Sequence, residues 1–240
     1  MATIRLKEGV TAQIAAGLSL GEYGALISAD MLSFEDGIKL IQKRGYYMGT
    51  LLPEGNYAMA AVIGLDNEKI EKICQEISSQ GKFVIPANYN CSVQTAISGE
   101  QEAVTEAMEK LKEAGAKRVI PLKTAGPFHT PKLEQAKLAY EKELEKVTFH
   151  LGKMKVIKNI DGTFYQEQDN IKEILANHII SPVRFDKTIA LMQKEGIQEY
   201  VEIGPGKTLT GFVRKDNKEA KVVNIYDLQT LENYIKEVNA

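Results

Sequence analysis

The chain has 240 residues, 44% of them hydrophobic and 26% charged, and a formal net charge of −2. These values are typical of a globular protein with one large domain or two modest ones, each able to bury a core. The charge is too small to favour nucleic acid or an anionic membrane surface as a partner. No apolar run approaches the roughly 18–20 residues needed to cross a bilayer. Neither nucleic acid nor a membrane is therefore expected as a partner.

Cysteine and histidine usage argues against disulfides and metal sites. The two cysteines, Cys74 and Cys91, are too few for a disulfide framework, so both are expected to be reduced thiols. The three histidines, His129, His150 and His178, are too scattered for a zinc motif, and neither a metal nor a cofactor is expected. The first residues lack the apolar core and cleavage site of a signal peptide, so we expect a cytoplasmic location.

The first predicted elements surround a short glycine-rich turn. Residues 10–16 predict a short buried strand, and residues 20–31 predict a helix with small residues on one face. Ser33 is the expected N-cap of a second helix over residues 34–51, because Asp36 follows three positions later as in a capping box. A strand, a turn and two helices therefore follow one another at the start of the chain.

Residues 57–123 have a pattern of their own. Strand-like and helix-like segments alternate in the order βαββαβ, which is the order of the ferredoxin-like fold. The predicted strands cover residues 57–64, 83–87, 94–98 and 119–123, and the predicted helices cover residues 67–80 and 100–113. We expect residues 56–123 to form a compact small subdomain inserted into a larger one.

The rest of the chain alternates helices and strands. The predicted helices cover residues 132–146, 170–178, 183–195 and 228–238, with one more ending near residue 214, and the predicted strands cover 155–160, 199–203 and 221–225. Such alternation is typical of a mostly parallel α/β sheet. We therefore expect residues 1–55 and 124–240 to form a large α/β subdomain built on a parallel sheet.

The turn at residues 17–21, GLSLG, matches the pattern G-x-S-x-G between a predicted strand and a predicted helix. A nucleophile elbow requires that context, with Ser19 raised on a sharp turn at a helix N-terminus. The Leu20 N–H would then point at a developing oxyanion. The same pattern also fits a serine that only caps the helix, because glycine and serine are common residues.

A serine nucleophile needs a base, and only three histidines can supply one. His129 lies in a loop between Pro127 and Pro131, and a rigid loop is a good catalytic position. His178 ends a predicted helix, where a histidine is often only a partner of the helix dipole, and His150 follows a charged helix. The residues alone favour His129 and leave His178 as the alternative.

Two further segments carry charge near predicted turns or helices. Arg44 lies on the second predicted helix, and it is either a surface charge or a bidentate clamp for a carboxylate. Residues 204–207, GPGK, resemble a phosphate loop only faintly and lack the full G-x-x-x-x-G-K-[ST] pattern. They favour a tight turn between a strand and a helix, and a nucleotide triphosphatase is excluded.

These motifs occur together in one known family. The chain resembles the malonyl-CoA:acyl-carrier-protein transacylases of fatty-acid synthesis and the related acyltransferase domains of polyketide synthases. The matching segments are residues 16–23 (AGLSLGEY), 42–45 (QKRG), 88–90 (NYN), 127–129 (PFH), 181–185 (SPVRF) and 202–207 (EIGPGK). Their agreement in order and spacing over residues 8–225 makes the resemblance specific.

The resemblance implies a hydrolase-like large domain with a ferredoxin-like inserted subdomain. It also implies transfer of a malonyl group from malonyl-CoA to the phosphopantetheine thiol of acyl carrier protein, without a cofactor. The implied roles are Ser19 as nucleophile, His129 as base, the Leu20 N–H as oxyanion donor, Arg44 as carboxylate clamp, Phe128 as a malonyl-selecting residue, Asn90 at the edge of the substrate cleft, and the carbonyl of His178 as the group that orients the imidazole.

The chain departs from the family pattern at three places. Leu18 replaces a histidine found in many members, and His178 replaces the usual glutamine, although its carbonyl survives that change. Family members open with a G-Q-G-x-Q motif whose glutamine completes the oxyanion hole, and no such motif precedes Gly17. The resemblance therefore predicts a chain without the N-terminal segment, and one missing oxyanion donor would reduce turnover by about 10²–10³-fold.

Two alternatives stay open on the sequence alone. The order Ser19, Asp161, His178 fits the Ser–acid–His order of an α/β-hydrolase acting as an esterase or thioesterase. A pseudo-enzyme that only binds acyl carrier protein is the other alternative. The hydrolase hypothesis predicts that His178 is essential and His129 dispensable, and the transacylase hypothesis predicts the reverse.

Overall fold

The computed structural model describes residues 12–123 and 126–238. The first two residues of the predicted strand 10–16 and the first two of the loop before His129 lie outside these ranges. Within them the chain forms a mixed α/β fold of nine strands and nine α-helices. No helix in the described part is both long and apolar enough to cross a membrane.

The N-terminal elements place the glycine-rich turn beside a pair of helices. Strand β1 covers Ile14–Ala15, helix α1 covers Gly21–Ser28 and helix α2 covers Phe34–Thr50. Helix α1 ends earlier than predicted, because Asp30 adopts a left-handed φ of 58°. Helix α2 begins as predicted, with the Ser33 side chain accepting a hydrogen bond from the Asp36 N–H.

Residues 57–122 form four neighbouring strands and two helices. The strands are β2 (Tyr57–Ile63), β3 (Val84–Cys91), β4 (Gln94–Glu100) and β5 (Arg118–Leu122), and the helices are α3 (Asn67–Ser78) and α4 (Gln101–Glu113). The strands lie side by side in the order β5-β2-β4-β3 and pair antiparallel. The two helices cover one face through an apolar core that includes Ile70, Ile97 and Leu111.

The C-terminal part begins with a 3-10 helix at Pro131–Leu133 and then alternates helices with short strands. The helices are α5 (Glu134–Leu144), α6 (Ile171–His178), α7 (Phe185–Lys194), α8 (Thr208–Asp216) and α9 (Leu228–Val238), and the strands are β6 (Lys155–Val156), β7 (Val183–Arg184), β8 (Glu199–Ile203) and β9 (Lys221–Ile225).

The parallel sheet expected for the large subdomain is reduced to short parallel pairs in the described ranges. Strand β1 pairs with β6, β8 pairs with β9, and β7 joins β3 at the edge of the antiparallel sheet. The predicted strand 155–160 is two residues long; beyond it, the Lys158 N–H donates to the Thr163 carbonyl and the Asn159 N–H to the Glu22 carboxylate. The predicted helix 183–195 begins two residues late, because Val183–Arg184 pair with β3.

Two apolar clusters meet at Phe128. The larger cluster lies among helices α1, α2, α5 and α6. The smaller one consists of Met59, Ala87 and Ala96, on the antiparallel sheet. The Phe128 side chain packs against both clusters. The segment that carries it is therefore held between the N-terminal helices and the sheet, next to His129.

Candidate active site

Ser19 occupies a strained turn between β1 and α1. Its φ is 53°, a left-handed value that is unusual outside glycine. The turn requires glycine at position 17, because a Cβ on Gly17 would overlap the backbone of Gly21. Among the described residues, no acceptor takes the N–H of Leu20. The turn therefore presents a hydroxyl with an unbonded N–H directly after it.

His129 reaches Ser19 from a distant part of the chain. Its Nε2 lies 2.8 Å from the Ser19 Oγ, across a separation of 110 residues. Its Nδ1 lies 3.0 Å from the carbonyl oxygen of His178. Because a carbonyl can only accept, Nδ1 carries the proton, and Nε2 is left to accept the proton of the Ser19 hydroxyl. This tautomer is the one that a general base needs.

The surroundings of His129 keep its imidazole uncharged. The residue is only 4% exposed, and its φ of 59° is again left-handed. Burial lowers the pKa of His129 well below its usual value of 6.5, and the neighbouring His178 and Arg44 lower it further. The imidazole is therefore neutral near pH 7 and able to take a proton.

Arg44 projects from helix α2 towards the same hydroxyl. Its Nη2 donates to the Ser19 Oγ at 3.0 Å, and the residue is only 5% exposed. Its guanidinium carbon lies 5.8 Å from the centre of the Tyr23 ring, within the range of a cation–π contact. The Nε has no hydrogen-bond partner within the described ranges. A buried guanidinium with a spare donor is suited to binding a carboxylate of a ligand.

Asn159 holds the Ser19 turn in place. Its side-chain Oδ1 accepts the Ser19 N–H at 2.6 Å, and its Nδ2 donates to the Gly17 carbonyl at 2.6 Å. Asn159 is fully buried. It stands 140 residues from Ser19 along the chain, so no local sequence pattern connects the two, and motif analysis missed it.

Glu22 is a second residue that motif analysis missed. Its carboxylate is 1% exposed and touches neither Ser19 nor His129 directly. One oxygen accepts hydrogen bonds from the Asn159 N–H and the Tyr165 hydroxyl, and the other lies 3.0 Å from the His178 Nδ1. The signal that could have found Glu22 is its place in the segment AGLSLGEY, three residues after the serine.

The other residues expected in the site make no hydrogen bond to the Ser19 side chain among the described residues. The His178 ring stacks on that of His129, with ring centres 4.8 Å apart and planes inclined by 29°. Phe128 lies between the two apolar clusters described above. Asn90 is buried in β3, and none of the hydrogen bonds among the described residues joins its side chain to Ser19.

The alternative triad of Ser19, Asp161 and His178 is wrong as a spatial arrangement. Asp161 accepts the Thr163 N–H at 2.9 Å. The His178 Nδ1 lies against a different carboxylate, that of Glu22. The imidazole that contacts the Ser19 hydroxyl comes from the segment between the two prolines instead.

A hydroxyl, a neutral imidazole and a guanidinium therefore meet around one point. This set suits acyl transfer, in which a hydroxyl attacks a carbonyl and the guanidinium holds a free carboxylate of the acyl group. Within the described ranges, no group of three His, Cys, Asp or Glu side chains could hold a metal ion. Cys74 and Cys91 are buried free thiols.

Comparison with known sequences points to the same chemistry. A family model described as an acyl transferase domain matches residues 2–240. The malonyl CoA-acyl carrier protein transacylase of Bacillus subtilis (strain 168) is 39% identical over 226 residues, which are 94% of this chain and 71% of that protein. The enzyme of the same name from Staphylococcus aureus (strain MRSA252) is 37% identical over 91% of this chain and 71% of its own length.

Comparison with solved structures agrees. The malonyl CoA-acyl carrier protein transacylase of Clostridium perfringens superposes with a TM-score of 0.92 at 41% identity, covering 97% of this chain and 73% of that one. A malonyl-transacylase in complex with its type II polyketide synthase acyl-carrier protein superposes with a TM-score of 0.90 at 35% identity, covering 96% of this chain and 74% of that one.

Proposed function

The chain belongs to the acyl transferase family of malonyl-CoA:acyl carrier protein transacylases, and we propose that it transfers a malonyl group through an ester on Ser19. The observation that carries this proposal is the position of one oxygen. The Ser19 Oγ lies within hydrogen-bond distance of both His129 Nε2 and Arg44 Nη2. A base and a carboxylate clamp thus flank the same nucleophile.

The first half of the reaction loads the enzyme. His129 Nε2 takes the proton of the Ser19 hydroxyl as Oγ attacks the thioester carbonyl of malonyl-CoA. The carbonyl oxygen becomes an oxyanion, which the Leu20 N–H and the N-terminus of α1 stabilise. The carbon–sulfur bond then breaks, and His129 returns the proton to the departing sulfur of coenzyme A.

The second half of the reaction unloads the enzyme. The phosphopantetheine thiol of acyl carrier protein gives its proton to His129 Nε2 and attacks the carbonyl of the malonyl ester. The second oxyanion collapses, the bond to the Ser19 Oγ breaks, and His129 returns the proton to that oxygen. The low pKa of His129 keeps the imidazole neutral and ready for each of these steps.

Arg44 is the residue that we propose selects a malonyl donor. When the donor binds, its guanidinium exchanges the contact with the Ser19 hydroxyl for the free carboxylate of the malonyl group. Burial makes that contact selective, because an acetyl group would leave the buried cation without a partner. Phe128 and Asn90 are proposed to line the acyl cleft, Phe128 from beside the base and Asn90 from β3.

The proposed reaction also requires a cleft for the acyl group, and a division of the fold into two subdomains would provide one. We propose that residues 56–123 are an inserted ferredoxin-like subdomain, supported by the strand order β5-β2-β4-β3 with two helices on one face. Residues 1–55 and 124–240 would then be the hydrolase-like part that carries the serine turn. Phe128, which packs against both, lies where the acyl cleft between them would be.

Covalent loading tests the proposal directly. The purified chain is incubated with malonyl-CoA and its intact mass is measured over time. We expect one malonyl adduct on the unchanged chain, none on Ser19→Ala, and formation slowed by about 10²–10⁴-fold on His129→Ala. His150→Ala is the matched control, because His150 is exposed, and it should load at the normal rate.

Other outcomes identify the alternatives. Loading of Ser19→Ala, or normal loading of His129→Ala, contradicts the assigned pair. Release of free malonate without transfer to acyl carrier protein supports a hydrolase. A chain that stays unlabelled but binds acyl carrier protein supports a pseudo-enzyme.

A further inference from the structure

The Glu22 carboxylate is a buried charge that no step of the reaction uses. Burying a carboxyl group is unfavourable unless other polar groups contact it, so its neighbours indicate what it does. Here three residues converge on it: Oε1 accepts the Asn159 N–H at 3.0 Å and the Tyr165 hydroxyl at 2.9 Å, and Oε2 lies 3.0 Å from the His178 Nδ1 without the geometry of a hydrogen bond. Two of these three residues also make contacts with the reacting pair.

Through Asn159, Glu22 supports the nucleophile. Glu22 holds the Asn159 backbone, and the Asn159 side chain bridges the serine turn by accepting the Ser19 N–H and donating to the Gly17 carbonyl. The left-handed φ of Ser19 is a strained value that persists only where the surroundings impose it. The bridge from Asn159 is such a constraint.

Through His178, Glu22 supports the base. The His178 ring touches the Glu22 carboxylate, and the carbonyl of the same residue accepts the His129 Nδ1–H at 3.0 Å. The two imidazoles also stack. His178 is the last residue of α6, so its contact with Glu22 fixes the end of that helix and hence the direction of the carbonyl.

We propose that Glu22 is a positioning residue that holds the Ser19 hydroxyl and the His129 imidazole in the correct relative position. The proposal rests on the function proposed above, in which Ser19 and His129 are the reacting pair. One carboxylate does this because each of its oxygens can accept hydrogen bonds, so a single side chain faces Asn159 on one side and His178 on the other.

The substitution Glu22→Gln separates this role from simple filling of space. An amide has the same shape but only one oxygen, so its NH₂ must face either the Asn159 N–H or the His178 Nδ1. We expect the rate constant for loading with malonyl-CoA to fall about 10- to 100-fold, the loss expected when reacting groups are misplaced by a fraction of an ångström to an ångström. KM for malonyl-CoA should stay within about twofold, because Glu22 touches no substrate.

Glu202→Gln is the matched control. The Glu202 carboxylate likewise accepts two backbone N–H groups, those of Leu209 and Thr210 at the start of α8. The loading rate of Glu202→Gln should match that of the unchanged chain. Circular dichroism and thermal unfolding of both variants report whether each one folds.

A second substitution tests the connection through residue 178. In His178→Gln the carbonyl remains, and the new amide can donate to a carboxylate or pair with another amide. We expect Glu22→Gln to slow loading less in the His178→Gln background than in the original chain, because part of the Glu22 effect would act through the His178 ring and residues in contact are not additive. Nitrogen-15 NMR should also show a change in the ring signals of His178 in Glu22→Gln, because the group facing its Nδ1 has changed.

The possible outcomes are distinct. Loading by Glu22→Gln at the normal rate, or an equal loss in both backgrounds, overturns the proposal. If Glu22→Gln does not fold, Tyr165→Phe decides: loading slowed about two- to tenfold with unchanged KM supports the proposal, and an unchanged rate overturns it. Loading of Ser19→Ala would instead refute the underlying function. If only the positioning proposal is wrong, Ser19→Ala will still carry no malonyl adduct.

Discussion

The antiparallel sheet region, residues 57–122, and the Ser19–His129 site are stabilised in opposite ways. In the sheet region, antiparallel strands pair through backbone hydrogen bonds, and the enclosed core is apolar. At the site, buried polar side chains make the contacts, and their hydrogen bonds to Ser19 come from residues 25, 110 and 140 positions away. The sheet region therefore depends on local pattern and burial, and the site depends on polar contacts between distant segments.

Backbone strain follows the same division. Among the described residues, three that are not glycine have left-handed φ values, and two of these are Ser19 and His129. In the sheet region such values fall on glycines at turns, for example Gly64 and Gly81, where they cost little. Each strained residue outside glycine costs about 1–3 kcal/mol, which the contacts around it must offset.

The largest effect that we expect concerns selectivity at the site. Arg44→Ala removes the buried cation, so the preference for malonyl-CoA over acetyl-CoA should fall by about 2–5 kcal/mol, or about 30-fold to several thousand-fold. The measurement is the ratio of kcat/KM for the two donors. Both absolute rates are also expected to change, because Arg44 contacts the Ser19 hydroxyl.

Arg118→Ala is the control for Arg44→Ala. Arg118 carries the same charged group on β5, but it is exposed and belongs to the sheet region. Its removal should leave the ratio of the two donors unchanged. A preference that survives Arg44→Ala would contradict the clamp and remove Arg44 from the polar site.

The sheet region should show the reverse: stability changes without a change in catalysis. Ile97 is fully buried in β4, so Ile97→Val should lower the free energy of unfolding by about 0.5–1.5 kcal/mol. The same change at Ile120, which is 41% exposed on β5, should stay within about 0.5 kcal/mol. Denaturant unfolding measures both. Slower loading by folded Ile97→Val would show that the two regions are not energetically separate.

The division also explains what the sequence could predict. All six elements of residues 57–122 were predicted, because each is defined by its own apolar period. The predicted strands 10–16 and 155–160 are two residues long within the described ranges, because their ends turn into the site. Period alone cannot reveal that a backbone N–H leaves a strand for a distant carboxylate.

Only those residues of the candidate site that lie in a recognisable short sequence pattern could be predicted. Ser19 stands in a glycine pattern, and His129 stands between prolines, so the sequence could single out both as candidates, and the structure places their side chains in contact. Asn159 lies in an ordinary polar segment, and its importance comes only from the fold. Glu22 lies in the segment AGLSLGEY, but its contacts could not be predicted from that segment, because its partners come from residues 159–178.

The smallest expected effect concerns pH: the loading rate should not change between pH 8 and pH 6. A histidine with the usual pKa of about 6.5 would lose half of its base form at pH 6.5. The pKa of His129 lies well below that value, so the loading rate should stay level from pH 8 to pH 6. The malonyl carboxylate remains charged over that range. A rate that halves near pH 6.5 would show that His129 titrates like an exposed histidine.

Stability responds to the same titration with a definite sign. In the unfolded chain His129 regains a pKa near 6.5, so below that pH the unfolded state binds a proton that the folded state refuses. The contribution of His129 to stability is therefore complete above about pH 6.5 and declines as the pH falls towards the lower pKa of the folded state. Replacing His129 with glutamine removes this titration, so the loss of stability between pH 6.5 and 5 should become smaller. An equal loss in both proteins would mean that other groups, and not the buried imidazole, set the acid sensitivity of the fold.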